Sequence, residues 1–374
     1  MTTPAPAEIG MPLSEVDTPA LLLDLDVFER NLDRMAKAVA GSGVKLRPHA
    51  KTHKCPAVAR AQIARGAVGV CCQKVGEAEA MVEGGVADVY VSNQVVGQSK
   101  LDRLAVLARQ ARVSVAVDNL DNVAAIERSA ARFDARINVL VEITAGMRRC
   151  GVDPGPEAVA LAKAIQAAPH LSFAGLQAYH GSAQHIRGHD DRRKAIQVAQ
   201  DAAVTTRELI QAAGIQVPLV TGAGTGSFRF ELGSRVWGEL QCGSYVFMDA
   251  DYARNLDEGG KPGGEFEHSL FVWATVMSHP VKDRAVVDVG LKAVATDCGM
   301  PLLDGIVNVT YERASDEHGI LKVGETNHPL AVGDKIKLIP GHCDPTVNLY
   351  DWYVGIRGGR VEALWPITAR GMLR

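Results

Sequence analysis

The chain has 374 residues, of which 47% are hydrophobic and 22% are charged, and its formal net charge is −3. This length is enough for two domains, and the mixed charges give no electrostatic argument for binding nucleic acid or a membrane surface. No apolar run approaches the roughly 20 residues that cross a bilayer, and the N-terminus lacks the pattern of a secretory signal. Seven scattered cysteines without a C-x-x-C pair favour reduced thiols and a cytoplasmic location.

Short apolar runs alternate with helical patterns over the first two thirds of the chain. The predicted strands are 44–46, 68–72, 86–91, 113–117, 137–143, 171–177, 217–221 and 240–246. Helical patterns are clearest at 77–83, 101–109, 156–168 and 192–213. Continuous apolar strands alternating with amphipathic helices are typical of an α/β fold, and eight such units predict a (β/α)8 barrel of the TIM type.

The pattern changes after about residue 265, where strand-like runs follow one another with little helical periodicity. These runs are 270–277, 284–289, 305–309, 335–338, 352–356 and 361–364. They predict a second, mostly β domain. We therefore expect a barrel domain over 23–255 and a second domain over 256–374 that also includes residues 1–22, with the loop "NLDEGGKPGG" as the connection.

The stretch "LRPHAKTHKCP" follows the first predicted strand and places Lys51 at the C-terminal end of the barrel, where the chemistry of such barrels is located. Its basic neighbours are Arg47, His49, His53 and Lys54. Nearby cations would lower the pKa of Lys51 and leave it partly neutral for attack on a carbonyl carbon. The alternative is an ordinary lysine in a solvated basic loop.

The loop "TGAGTGS" follows the seventh predicted strand, at a position where barrels frequently bind phosphate. Gly222 and Gly224 let the backbone approach a ligand, and the hydroxyl groups of Thr225 and Ser244 could add donors. A plain glycine turn is the alternative; a Rossmann loop would need different spacing and an earlier position. A phosphate site opposite a reactive lysine suggests pyridoxal phosphate, held as a Schiff base.

Two further histidines are candidates for metal binding and for general base catalysis. In "PGHCDPTVNLYD", His342 and Asp344 would point to the same side of an extended strand and could hold Mn²⁺, Mg²⁺ or Zn²⁺. A structural hydrogen bond between these two side chains is the alternative. In "GSAQHIRGHD", His185 is either a general base or a solvated loop residue.

Together with "GVCCQKVGEAE", "RCGV", "GLQAYHGSAQH" and "ELQCGSYVFMDADY", these motifs resemble the metal-activated D-threonine aldolase and D-3-hydroxyaspartate aldolase family. That family belongs to the alanine-racemase-like, fold-type III pyridoxal phosphate enzymes. The resemblance covers nearly the whole chain, from Asp17 to Gly371. It implies pyridoxal 5'-phosphate, a divalent cation such as Mn²⁺ or Mg²⁺, and a homodimer without nucleic-acid or membrane partners.

The implied activity is cleavage of a D-β-hydroxy-α-amino acid of the D-threonine type to glycine and an aldehyde. Alternatives are a D-3-hydroxyaspartate aldolase that releases glyoxylate, and a dehydratase of D-serine or D-threo-3-hydroxyaspartate. A non-catalytic carrier of the cofactor on a similar barrel is the third alternative. The dehydratase relatives tend to have cysteine as the second metal ligand, so Asp344 favours the aldolase.

The resemblance also implies a role for individual residues. Lys51 and His185 would be catalytic, with His185 as the base, and His342 and Asp344 would bind the metal. The cofactor would contact Lys51, Gln73, Arg149, Tyr179, Gly222, Gly224, Thr225, Gly243 and Ser244. The chain departs from the usual family pattern at Arg148, an additional cation, and at Ala223, where glycine is usual.

Overall fold

The structure is a computed structural model, and it describes residues 4–374. Its first strand is β1 (Ala20–Asp24), which leads directly into helix α1 (Leu25–Val39). The side chain of Asp24 accepts a hydrogen bond from the backbone N–H of Val27 at 3.0 Å and so caps the first turn of α1. The helix buries a face that includes Phe28 and Leu32.

Eight parallel strands form the barrel. Strands β2 to β9 are Lys45–Leu46, Val70–Cys72, Asp88–Gln94, Arg112–Val117, Ile137–Glu142, Leu171–Ala178, Val220–Gly222 and Glu239–Leu240. Each strand from β3 to β8 pairs with the next one in the chain, and β9 also pairs with β2. A parallel bridge between His49 and Cys71 closes the last gap, between β2 and β3. The predicted (β/α)8 barrel is confirmed.

Helices follow the strands and cover the outside of the barrel. Helices α2 to α8 are Pro56–Ile63, Val75–Glu83, Gln98–Leu107, Leu120–Arg132, Pro156–Ala167, His189–Ala212 and Phe228–Ser234. The predicted eighth strand, 240–246, is wrong beyond Leu240, because the chain turns into a 3-10 helix at Ser244–Val246. Tyr245 and Val246 are buried there, and the ring of the next residue, Phe247, lies 5.6 Å from that of Tyr353 in the second domain. The apolar run after Leu240 therefore reflects residues that are buried outside the barrel sheet, and it resembles the apolar run of a buried strand.

The barrel interior is filled by side chains from alternate strand positions. Cys71, Tyr90, Ala116 and Leu140 form a buried cluster there, because successive residues of a strand face opposite sides of the sheet. The Tyr90 hydroxyl donates a hydrogen bond to Gln177 at 3.1 Å. The interior thus changes from apolar to polar toward the end of the barrel that carries the candidate site.

The second domain is built mainly from strands, as predicted. Strands β10 to β17 are Leu270–Val281, Arg284–Val287, Leu302–Leu303, Val309–Ala314, Gly319–Val323, Lys335–Ile339, Trp352–Arg357 and Arg360–Pro366, and helix α9 is Cys343–Val347. The predicted strand 305–309 is wrong, because β12 ends at Leu303 and β13 begins at Val309. Strands β13 and β14 were not predicted, because their exposed positions are polar and interrupt any apolar run.

The N-terminal segment packs on the second sheet. Strand β1 lies between β10, to which it is antiparallel, and β16, to which it is parallel. The backbone N–H of Gly10 donates to the carbonyl of Val361 at 2.8 Å, while residues 1–3 lie outside the described part. The exact domain boundaries at 22/23 and 255/256 stay a prediction. Within residues 4–374, no helix is both long and apolar enough to span a bilayer.

Candidate active site

A cavity of about 110 Å³ lies at the C-terminal ends of the barrel strands. Its lining includes most of the cofactor contacts predicted from sequence: Lys51, Gln73, Arg149, Tyr179, Gly224, Thr225, Gly243 and Ser244. Gly222 ends strand β8 just before this loop and is not part of the lining. The lining also contains residues that the sequence analysis did not select as contacts: His49, Thr52, Ser92, Gln177, Ala223, Gln241 and Tyr252.

Lys51 lies in the turn between β2 and α2 and is partly buried. Its ammonium group forms an ion pair with Asp344 of the second domain. Burial lowers the pKa of Lys51, but the negative charge of Asp344, with a smaller contribution from Tyr179, raises it by more. The net pKa of Lys51 is therefore raised, which is opposite to the shift expected from sequence.

Two of the basic neighbours of Lys51 are neutralised by carboxylates. The guanidinium group of Arg47 donates to Asp88 at 2.7 Å and lies 3.0 Å from Glu239, and Lys54 forms a buried ion pair with Glu77. Neither cation leaves an uncompensated positive charge beside Lys51. The predicted field of cations is therefore wrong, since sequence proximity does not reveal which partners the fold brings from elsewhere.

The two histidines beside Lys51 are buried and neutral. Burial lowers the pKa of His49 well below its ordinary value and lowers the pKa of His53 to about 3. Nε2 of His49 lies 3.0 Å from the amide nitrogen of Gln73 and 3.2 Å from the hydroxyl of Ser92. His49 thus fixes the polar wall of the cavity rather than supplying charge.

The loop after β8 has the properties of an anion site. Within residues 4–374, the backbone N–H groups of Gly224 and Thr225 have no hydrogen-bond acceptor, and the buried Thr225 hydroxyl also lacks a partner. A Cβ atom on Gly222 would lie 2.1 Å from the carbonyl oxygen of Ala178, so only glycine fits there. Unpaired buried donors around a cavity fit a phosphate group, which accepts several hydrogen bonds.

The side chain of Gln184, which was not predicted to be part of the site, supports this loop through hydrogen bonds. Its side-chain oxygen accepts from the N–H of Gly226 at 2.9 Å, and its side-chain nitrogen donates to the hydroxyl of Ser227 at 2.7 Å. Ser227 in turn donates to the buried carboxyl group of Glu231 at 2.8 Å. A Cβ on Gly224 would lie 2.4 Å from the Gln184 oxygen, so the loop rests directly on this side chain.

Arg149 brings positive charge to another wall of the cavity. Its guanidinium carbon lies 5.7 Å from the centre of the Tyr179 ring, and its nearest carboxylate, Glu142, is 3.9 Å away. This contact fits a cation stacked beside an aromatic ring. Arg148 is exposed and has a left-handed backbone conformation, with φ of 50°, and it is not among the residues that line the cavity.

His342 and Asp344 do not lie on a strand, so the geometry expected for them is wrong. His342 is the extended residue before helix α9, and Asp344 lies in the first turn of that helix. One oxygen of Asp344 pairs with Lys51, and the other, Oδ1, is buried without a hydrogen-bond partner. A buried, unpartnered carboxylate oxygen next to a histidine fits a divalent cation.

His342 also contacts two residues that were not predicted as site residues. Its Nδ1–H donates to Asp297 at 2.7 Å, and the sulfur of Cys298 lies 3.5 Å from the same nitrogen. Ligand atoms of Asp297, Cys298 and His342 all lie within 4.8 Å of one another. Because Asp297 occupies Nδ1, the ring nitrogen of His342 that remains for a cation is Nε2.

A buried carboxylate fixes the helix that carries these residues. The two oxygens of Asp249 accept from the backbone N–H groups of Tyr252, at 2.9 Å, and Cys343, at 3.0 Å. Burial raises the pKa of Asp249 to about 6. Because Asp249 lies directly after the barrel, these contacts hold the start of α9 against the barrel end.

His185 is outside the cavity lining but next to it. The centre of its ring lies 6.1 Å from the ring of Tyr252, which lines the cavity, and its Nδ1–H donates to Asp251 at 2.6 Å. Asp251 is 66 residues away in the chain, so local sequence patterns did not indicate this partner. The imidazole is about half exposed, so its other nitrogen can reach a solute.

Known families match both parts of the chain. Residues 23–251 match the alanine racemase N-terminal domain, and residues 269–356 match a serine dehydratase domain. These two matches correspond to the barrel and to the second sheet.

Three relatives resemble the chain over nearly its full length. A 3-hydroxy-D-aspartate aldolase of Paracoccus denitrificans is 46% identical over 98% of this chain and 95% of the relative. A D-threonine aldolase of Arthrobacter is 46% identical over 99% of this chain and 97% of the relative. The crystal structure of a D-threonine aldolase from Filomicrobium marinum has a TM-score of 0.96 and 51% identity, covering 99% of this chain and 100% of that one. The chain belongs to the D-threonine aldolase and 3-hydroxy-D-aspartate aldolase family, within the alanine-racemase-like fold.

Proposed function

We propose that the protein is an aldolase that cleaves D-β-hydroxy-α-amino acids of the D-threonine type to glycine and an aldehyde. The observation that carries this proposal is the cavity that holds Lys51 and the unpaired donors of Gly224 and Thr225, in a chain of this family. A primary amine and an anion site at one barrel end suit a cofactor with both an aldehyde and a phosphate.

That cofactor is pyridoxal 5'-phosphate. When bound, it supplies an aldehyde that combines with amines and a ring that withdraws electrons from the adjacent carbon. Lys51 would hold the aldehyde carbon, and the glycine loop, with Gly243 and Ser244, would hold the phosphate. Arg149 would face the nitrogen of the cofactor ring, as the resemblance implies, and its permanent positive charge would disfavour protonation of that nitrogen.

A divalent cation would be held by His342 and Asp344. Nitrogen and oxygen donors of this kind suit Mn²⁺ or Mg²⁺. When bound, such an ion supplies Lewis acidity, which lowers the pKa of a hydroxyl group that it contacts. The unpartnered Oδ1 of Asp344 and the free Nε2 of His342 support this assignment.

The proton transfers involve two side chains. His185 accepts the proton of the substrate's β-hydroxyl group at Nε2, because its Nδ1 already donates to Asp251. The Cα–Cβ bond then breaks, and the β-carbon leaves as an aldehyde. Once the substrate's amino group has displaced it from the aldehyde carbon, the amine of Lys51 would supply the proton that Cα needs to become glycine. One proton is removed and one is added, so the cleavage is balanced.

A second candidate is cleavage of D-3-hydroxyaspartate to glycine and glyoxylate. The Paracoccus denitrificans relative named for this activity is as similar to the chain as the Arthrobacter D-threonine aldolase, which favours testing both substrates. A dehydratase is less well supported, because Asp344 stands where cysteine is expected in those relatives.

Incubation with each amino acid tests the proposal. Purified protein with pyridoxal phosphate and Mn²⁺ should release glycine and acetaldehyde from D-threonine, or glycine and glyoxylate from D-3-hydroxyaspartate. Release of 2-oxobutanoate and ammonia from D-threonine would instead indicate a dehydratase. Treatment with EDTA should abolish the cleavage and Mn²⁺ should restore it, whereas activity indifferent to EDTA would contradict the metal assignment.

We also propose that the protein is a homodimer, as the resemblance implies. Light scattering coupled to size-exclusion chromatography should give twice the mass of one chain, which is 39.8 kDa. A mass equal to that of one chain would contradict this assignment.

A further inference from the structure

The imidazole of His185 is held by a carboxylate that is itself almost completely buried. Oδ2 of Asp251 accepts the Nδ1–H of His185 at 2.6 Å, and Asp251 is only 4% exposed. A carboxylate acceptor at Nδ1 requires the proton to be on that nitrogen. In the neutral form of the ring, Nε2 is then the nitrogen without a proton, and it is the one left to act as a base.

Asp251 is held in place by two arginines. Its other oxygen, Oδ1, accepts hydrogen bonds from Arg187 and Arg254. Burial would raise the pKa of Asp251, but the hydrogen bonds from Arg187 and His185 lower it by more. The carboxylate is therefore ionised, and neither oxygen is free to rotate away from its partners.

The segments that carry the histidine and the carboxylate are also joined by hydrogen bonds from side chains of one segment to groups of the other, including backbone carbonyl groups. The side-chain nitrogen of Asn255 donates to the carbonyl oxygen of Gln184 at 2.9 Å. Arg187 donates to the backbone carbonyl of Asp251 at 2.7 Å and to the side-chain oxygen of Asn255 at 2.8 Å. The position of the His185 ring is thus determined by both the loop after β7 and the segment after the barrel.

This arrangement differs from other histidine–carboxylate pairs in residues 4–374. His170 also donates from Nδ1 to a carboxylate, Glu127, at 2.7 Å, but Glu127 holds no arginine and is 21% exposed at its side chain. The His170 pair is not part of the cavity lining. It provides a control with the same donor geometry in a different environment.

We propose that Asp251 is the positioning residue for His185. It accepts the Nδ1–H, selects the tautomer whose Nε2 is unprotonated, and orients the ring toward the substrate's β-hydroxyl group. The inference rests on the proposed function, in which His185 receives the hydroxyl proton. Asp251 does not need to touch the substrate, because it acts through the ring that it holds.

The experiment compares Asp251→Asn, His185→Ala and the double variant, with Glu127→Gln as the control. A general base contributes on the order of 10² to 10⁴ to the rate, so we expect His185→Ala to lose that factor in kcat. Asp251→Asn should lose at least about tenfold in kcat with little change in KM, since an amide can donate to Nδ1 as well as accept from it. The double variant should be no slower than His185→Ala, and Glu127→Gln should equal the wild type.

The proposal would be overturned by full kcat in Asp251→Asn, or by a double variant whose loss is the product of the two single losses. Asp251→Glu, which keeps the charge, should recover part of the lost kcat; a Glu variant no better than the Asn variant would also count against it. Cofactor absorbance and the melting temperature show whether each variant is folded.

A second measurement separates this inference from the proposed function. Nitrogen-15 NMR of protein labelled at histidine, with the His185 signals assigned by their loss in His185→Ala, reports which ring nitrogen carries the proton. We expect the Nδ1–H tautomer in the wild type and its loss in Asp251→Asn. Failure of the wild type to form glycine would refute the proposed function alone, while an unchanged tautomer in Asp251→Asn would refute the positioning role alone.

Discussion

Lys51 and Asp344 are 293 residues apart in the chain, and they form an ion pair across the junction between the barrel and the second domain. Lys51 comes from the turn after β2, and Asp344 comes from the first turn of α9. Burial would raise the pKa of Asp344, but Lys51, with a contribution from His342, lowers it to about 2. The pair therefore joins the amine proposed to hold the cofactor to a carboxylate proposed to hold the metal.

Replacing Asp344 with asparagine should separate the two proposed roles. The carboxylate raises the pKa of Lys51, so its removal should increase the fraction of neutral amine near neutral pH. We expect apoprotein of Asp344→Asn to incorporate pyridoxal phosphate faster than the wild type, measured as borohydride-trapped label on the Lys51 peptide. Cleavage stimulated by Mn²⁺ should fall by at least about tenfold, because an amide is a weaker ligand.

The control for this experiment is Asp283→Asn, which changes an exposed carboxylate in the hairpin between β10 and β11. It should leave both the rate of labelling and the stimulation by Mn²⁺ unchanged. Slower labelling of Asp344→Asn would contradict the effect of this carboxylate on Lys51.

Gln184 should contribute to cofactor binding without touching the reacting atoms. Gln184→Ala removes the acceptor for Gly226 and the support beneath Gly224, so the loop loses its shape. We expect the Kd for pyridoxal phosphate, measured by titrating the apoprotein, to rise about tenfold, equivalent to about 1.4 kcal/mol. Gln197→Ala, at an exposed position of α7 where the side chain donates to Asp201, should leave the Kd unchanged. Equal Kd values for the two variants would show that Gln184 does not support the loop.

Glu231 should make the folded state less stable as the pH rises. Burial raises the pKa of Glu231 from 4.5 to about 7 in the folded protein, so the folded state keeps a proton that the unfolded state has already released. The free energy of unfolding therefore falls between about pH 4.5 and pH 7, by about 3 kcal/mol in total, and is constant above that range.

Glu231→Gln mimics the protonated form and removes this dependence. The melting temperature of the variant relative to the wild type should increase from pH 5 to pH 8, measured by calorimetry on the cofactor-bound protein. The hydrogen bond from Ser227 to Oε1 can be retained in the variant, so the comparison isolates the charge. A difference that stays the same at both pH values would show that Glu231 is already ionised in the folded state.

Gly222 and Gly233 should respond in opposite ways to alanine. A Cβ on Gly222 would lie 2.1 Å from the backbone oxygen of Ala178, so Gly222→Ala should lower the free energy of unfolding by roughly 1–3 kcal/mol. Gly233 lies in α8, and a Cβ there would meet no heavy atom within 4 Å, so Gly233→Ala should raise the free energy of unfolding by about 0.5–1 kcal/mol. Urea unfolding measures both values, and equal midpoints would contradict the steric argument.

Much of the fold, together with the positions of Lys51 and the glycine loop, is predictable from short-range patterns in the sequence, whereas most of the other cavity contacts were implied by the family resemblance. Buried parallel strands require continuous apolar runs, and a barrel places the ends of its strands together, so Lys51 and the glycine loop could be assigned to one site. Strands β13 and β14 were missed because one face is exposed to solvent, which removes the continuous apolar signal.

The sequence by itself determined the barrel, the second β domain and the residue types at the strand ends. Only the tertiary structure decided the partners of those residues: Asp251 for His185, Asp297 for His342, and Asp344 for Lys51. Electrostatic and hydrogen-bonding partners act over a few ångströms in space, whatever their separation along the chain. A local pattern can therefore indicate a reactive side chain, but its charge state and orientation depend on contacts that exist only after the two domains have packed together.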